Sequence, residues 1–99
     1  MILVLGCVTI QAGNVAAALA LSQEHVGRSR AEPGCIAHGV YTDPADAERL
    51  MFVEKWADTA ALQAHFRVPE SRAFAKALAS MATKPPTLEV FDASTVSLT

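Results

Sequence analysis

The sequence predicts an α+β domain of order βαββαβ, on two observations. Short runs rich in β-branched residues alternate with helical-period runs in that order. Asn, Asp, Pro and Gly punctuate each join. A chain of 99 residues has room for one domain, spanning 1–99, and no second.

Residues 2–10 (ILVLGCVTI) are almost wholly apolar, as in a central strand covered on both faces. Gly13-Asn14 interrupts, with Asn14 expected as a helix N-cap. Val15, Leu19, Ser22 and Val26 then follow the helical period among the helix formers Ala17, Ala18 and Ala20. Arg28 and Arg30 fall in the last turn, where cations suit the helix dipole, and Pro33-Gly34 ends the helix. Cys35 to Thr42 reads as a strand, Asp43-Pro44-Ala45-Asp46 as a turn and Leu50 to Trp56 as the next strand. The short gap makes the pair an antiparallel hairpin. Asp58 caps a helix through Phe66. Pro69 opens another, with Phe74, Leu78 and Met81 on one face. Lys84-Pro85-Pro86 stops it, Thr87 to Ala93 is the last strand, and residues 94–99 take no assignment.

Right-handed crossovers place the first and third strands centrally in a four-stranded antiparallel sheet with the helices on one face, the ferredoxin-like arrangement. The other sheet face is left bare. Apolar residues make up 52% of the chain and mean hydropathy is +0.27, more than one small domain easily hides. A second copy supplying its own sheet, and so a homodimer, is the expected cover.

Ten carboxylates against eight Lys and Arg, with no basic patch, argue against a nucleic-acid partner. Cys7 and Cys35 have no CxxC spacing, so reduced buried thiols are expected. The N-terminal apolar run lacks a basic leader and is interrupted by Gln11, Gly13 and Asn14. No membrane association is expected, and the location is read as cytoplasmic.

The stretch VEKWADTAALQAHFR, 53–67, holds the candidate chemistry. Period-2 alternation puts Phe52, Glu54 and Trp56 on one strand face. In the following helix Leu62, His65 and Phe66 stand at i, i+3 and i+4, so His65 shares the inward stripe. Strand and helix together can then surround an apolar hollow with a carboxylate, an indole and an imidazole. Each has a plainer reading: a core histidine bonded to a carbonyl, a packed tryptophan, a strand glutamate paired with a cation such as Arg72. On the second strand Ile36, His38 and Val40 alternate with Cys35, Ala37, Gly39 and Tyr41; His38 or Tyr41 could bond a ligand oxygen. Glu24 and His25 read as a solvated helix face. The three histidines lie on separate elements, so a metal site would need the fold to gather them, and none is expected. Glycine-rich phosphate loops, GxSxG and HExxH are absent.

With Glu32-Pro33-Gly34-Cys35 entering a strand, an Asp-Pro hairpin, and then FVEKWADTAALQAHFRVPESRAF, the chain resembles the antibiotic biosynthesis monooxygenase (ABM) family over nearly its whole length. The E-x-W-x-D-x3-L-x2-H run from Glu54 to His65 is its most specific part. The resemblance implies a ferredoxin-like fold paired into a dimeric α+β barrel. It also implies a range of activities. Some members oxygenate phenols or quinols with O₂ and no cofactor, others degrade haem or isomerise small molecules. The haem-degrading pattern is not met: Gly6 to Ile10 holds no Asn, and Phe74-Ala75-Lys76-Ala77 stands where the ligand His belongs.

The reading that follows is a monooxygenase acting without cofactor on a small aromatic or quinol-type substrate. His65 is the general base, Glu54 orients it, and Trp56 belongs to the same catalytic group. Phe52, Phe66, Phe74, His38 and Tyr41 would bind substrate. The alternatives are a non-catalytic ligand-binding or stress-response protein, and an isomerase of a small lactone or keto compound. A hollow with converging polar groups favours turnover; an interior filled by Phe52, Phe66 and Met81 favours a structural role.

Overall fold

The computed structural model describes residues Met1–Thr99. Four strands, β1 (Ile2–Thr9), β2 (Cys35–Asp43), β3 (Asp46–Trp56) and β4 (Thr87–Asp92), form one antiparallel sheet in the order β2-β3-β1-β4. Helices α1 (Val15–Ser29), α2 (Thr59–Arg67) and α3 (Pro69–Met81) complete the ferredoxin-like βαββαβ order, the second helix being broken in two as read from Pro69. Residues 93–99 have no regular structure.

The local chemistry differs from expectation at three joins. Asn14 does not cap α1 with its side chain; a 3-10 turn, Ala12–Asn14, leads in, and Asn14 Nδ2 donates to Gln11 Oε1 instead. α1 stops at Ser29, ahead of Pro33-Gly34, and Arg30 leaves the helix to donate from Nε to the His38 carbonyl at 2.9 Å. β3 starts at Asp46, because only Pro44-Ala45 separates it from β2. Asp58 caps α2 as read, accepting from the Ala61 N–H at 2.8 Å.

Alternation on β3 holds along its inner half. Leu50, Phe52, Glu54 and Trp56 are buried beneath the helices, while Met51, Val53 and Lys55 stay partly exposed on the opposite face. Strict alternation fails on β2. A register shift between Cys35 and Ala37 leaves exposed Ile36 as the extra residue and returns Cys35 to the inner side, across from Trp56. Both cysteines are free but only partly buried; Cys7 lies on the outer face and takes a 2.9 Å contact from Arg49 Nε.

The apolar core comes in two pieces. Val8, Ile10, Ala18, Leu50, Phe52, Phe74 and Leu78 pack at one end, and Ile2, Val4, Trp56 and Leu62 at the other. Helix α1 meets the sheet through a stripe of small buried residues, Ala18, Ser22 and Ser29. The serine hydroxyls donate to the carbonyls four residues back, which lets the helix lie close. The outer sheet face presents Leu3, Leu5, Met51 and Val53 half-exposed, with Tyr41 and Phe91 exposed.

Gly34 sets the loop that brings Glu32 to the site. Its φ of +82° is one that L side chains rarely adopt, and a Cβ there would come within 2.5 Å of Ala61 Cβ. Gly34→Ala is expected to lower stability by about 1–3 kcal/mol in urea unfolding. Unchanged stability would show that this loop is free to shift.

Candidate functional site

The polar groups of the interior fill the space between the two apolar clusters. Glu54 stands on β3 between Phe52 and Trp56, with His38 directly across on β2. α1 contributes His25 and α2 contributes His65, and all four side chains are buried. An isolated carboxylate here would cost several kcal/mol, so its partners matter. Trp56 Nε1 donates to Glu54 Oε1 at 2.9 Å. His38 Nε2 lies 3.3 Å and His65 Nε2 4.0 Å from the same oxygen. The His38 contact is close but off the line of a formed hydrogen bond, and neither nitrogen of that ring has a partner. Burial alone would push the Glu54 carboxyl up; His38, Trp56 and His65 together outweigh it and hold the carboxyl below its usual range.

His65 is held from behind. Its Nδ1 lies 2.9 Å from Glu32 Oε1, and a carboxylate can only accept, so Nδ1 carries the proton and Nε2 is left on the Glu54 side. His65 also packs on Trp56, ring centroids 4.7 Å apart. His25 stacks on Phe74 at 4.0 Å and an 8° interplanar angle. Its Nδ1 has no partner. Burial and the neighbouring His38 and His65, together with Arg28, lower its pKa to about 3, with Glu54 the one opposing influence.

A cleft of about 270 Å³ opens over this cluster. Its walls include Phe52, Phe66, Phe74, Leu78 and Leu88, and Glu54, His25 and His65 face into it, with Arg72 and Ser71 on α3 beside them. Gly6 lies in the floor, where the missing side chain keeps β1 from filling the hollow.

Of the residues read from sequence, His65, Glu54, Phe52, Phe66 and Phe74 share this cleft. Phe66 is 44% exposed and forms its wall, not part of the buried stripe with Leu62 and His65. Trp56 is fully buried beneath the site and touches Glu54, not the cleft. His38 lies behind Glu54, outside the cleft lining. Tyr41 is on the far sheet face and 56% exposed, because its alternation is opposite to that of His38. Met81 packs against the larger core cluster and leaves the hollow open. His25, read as solvated, is buried at the centre of the site. Its inward direction was available in the spacing Ala18, Ser22, His25, Ser29, which is i, i+4, i+7 and i+11.

Comparison with known proteins agrees with this architecture. A family model described as antibiotic biosynthesis monooxygenase matches residues 1–77. The chain belongs to this family. A crystal structure of an antibiotic biosynthesis monooxygenase superposes with a TM-score of 0.89 at 26% identity, covering 96% of this chain and 100% of that one. A putative member from Deinococcus radiodurans gives 0.92 at 20% identity over 98% and 96% of the two chains, a likeness of fold. An uncharacterized protein of Synechocystis is 34% identical over 73 residues, 74% of this chain and 50% of that protein. The chain thus spans about half the length of that curated relative. No helix is long and apolar enough to cross a membrane.

Because folded His25 resists protonation and an unfolded histidine does not, its contribution to stability is present above pH 6.5 and is lost as the pH falls towards 3. The protein should therefore show a melting temperature that falls steadily across that window. His25→Phe, which keeps the stack on Phe74, should flatten the slope. An identical slope in the variant would assign the acid sensitivity elsewhere.

Proposed function

We propose that the chain is a monooxygenase that oxidises a small phenol or quinol with O₂, using the substrate's own electrons. The observation that carries this reading is the pairing of His65 and Glu54 in an apolar-walled cleft, with His65 Nδ1 tied to Glu32 so that Nε2 is free.

Ground-state O₂ reacts slowly with closed-shell organic molecules, but a phenolate can give it one electron. In this reading His65 Nε2 takes the substrate hydroxyl proton, and ionised Glu54 steadies the resulting imidazolium. The anion passes one electron to O₂, and the radical and superoxide join through a new C–O bond at a ring carbon. The imidazolium returns its proton to that peroxide, which then loses water as the O–O bond breaks and the ring C–H proton leaves, giving a carbonyl. Quinol plus O₂ becomes hydroxyquinone plus water, so no outside reductant is needed. Phe52, Phe66 and Phe74 supply flat apolar contact and exclude water. Trp56 acts through Glu54 as a positioning residue.

The uncovered sheet face supports a homodimer. Leu3, Leu5, Met51 and Val53 form an apolar strip, and burying it in solvent-free contact is favourable at roughly 25 cal/mol per Å². The bound substrate, the dimer and the absence of a nucleic-acid partner belong to this same reading.

With a panel of quinols, His65→Ala is expected to lower O₂ uptake by about 100- to 10,000-fold. Uptake equal to that of the unsubstituted chain would remove His65 from the reaction. Turnover that persists without oxygen would point to isomerisation. In sedimentation equilibrium the chain should run as a dimer and Val53→Asp as a monomer; a monomeric parent chain at high concentration would end the dimer reading.

A further inference from the structure

We propose that His25, His38 and His65 form a binding site for a divalent transition-metal ion, with the Glu54 carboxylate as the fourth donor. This goes beyond the reaction above and does not depend on it.

One nitrogen from each ring lies within 4.8 Å of the other two. The ring centroids are 5.2 Å apart for His25 and His65, 5.3 Å for His25 and His38, and 5.5 Å for His38 and His65. A tetrahedral ion about 2.0–2.1 Å from each nitrogen would set imidazole centroids roughly 5 Å apart, so the rings already have that separation. Donor atoms around such an ion are about 3.3 Å apart, and each nitrogen has less than about 1 Å to travel towards the common centre. Glu54 Oε1 is already 3.3 Å from His38 Nε2 and 4.0 Å from His65 Nε2.

Two further observations point to a ligand. His25 Nδ1 and both His38 nitrogens are buried without hydrogen-bond partners, a cost that ordinary interiors avoid. The Glu32 carboxylate on His65 Nδ1 is the outer contact that orients a metal-binding histidine and presents its other nitrogen. Access is through the cleft, which His25, His65 and Glu54 line. Three imidazoles and one carboxylate suit zinc, copper, nickel, cobalt or ferrous iron and not calcium or magnesium. Metal and substrate proton would compete for His65 Nε2, so the oxidation proposed above belongs to the metal-free chain.

The test uses the whole chain without a polyhistidine tag, stripped with chelator, desalted and titrated with Co²⁺. Expected are visible d–d bands of a low-coordinate ion, saturating at one equivalent and displaced by Zn²⁺. Glu32→Gln should weaken binding about 10- to 100-fold, and His25→Phe or His38→Phe by more than that. These are the chain's three histidines, so NMR of the parent protein reads the site without any substitution. One equivalent of Zn²⁺ should shift all three imidazole signals. No saturable uptake, uptake that moves fewer than three rings, or unchanged affinity in folded His25→Phe and His38→Phe proteins would each overturn the site. Loss or survival of O₂ uptake in metal-free protein bears on the base alone.

Discussion

A carboxylate kept ionised inside a small domain dictates most of what surrounds it. Glu54 has left water, and nothing apolar could repay that; the indole N–H of Trp56 donates to it instead, with His38 Nε2 3.3 Å and His65 Nε2 4.0 Å away. Trp56 is therefore both a large apolar side chain and a donor, and it must lie two residues from Glu54 on the same strand face to be both. The polar group also divides the core. Apolar packing holds each end of the helix–sheet layer, and the middle is left to polar groups, of which His25 Nδ1 and both His38 nitrogens have no partner.

Such a middle is poorly chosen for stability. A leucine in place of Glu54, with a phenylalanine for Trp56 and apolar residues in place of the histidines, would pack as well and leave no unpartnered nitrogen. Local rules broken together at one place, with the rest of the fold obeying them, are the mark of a site kept for what it does. The scaffold around it is conventional: an antiparallel sheet, a capped α2, a proline opening α3 and a small-residue stripe on α1.

The element order was legible because turn chemistry and hydrophobic period agree along the chain, and the pairing Phe52–Glu54–Trp56 followed from alternation alone. His65 could be placed inward from its spacing with Leu62. His25 was not, because the helical stripe was read as Val15, Leu19, Ser22 and Val26, a spacing that passes it by, whereas the buried face also runs through the small residues Ala18 and Ser29. Small residues mark close approach as surely as large ones mark packing, but they leave a weaker trace in a hydrophobicity pattern. The bulge at Ile36 had no signal in residue type, and it inverts the side on which Cys35 falls. Tyr41 shows the converse: parity already separated it from His38, so both could never have faced one ligand.

What the cluster does turns on which nitrogen of His65 is free, and that choice is made at some distance from the chemistry. Glu32 holds Nδ1 from the loop between α1 and β2, and Gly34 gives that loop its shape through a backbone angle other residues avoid. The same loop is closed by the Ala57 N–H donating to the Gly34 carbonyl at 2.8 Å, which ties it to the segment leading into α2. α2 in turn starts at the Asp58 cap and carries His65 two turns later. Loop and helix are thus fixed to each other before either meets Glu54. The tautomer of one imidazole, and with it the nitrogen offered to a proton or an ion, is a consequence of a glycine turn and a helix cap.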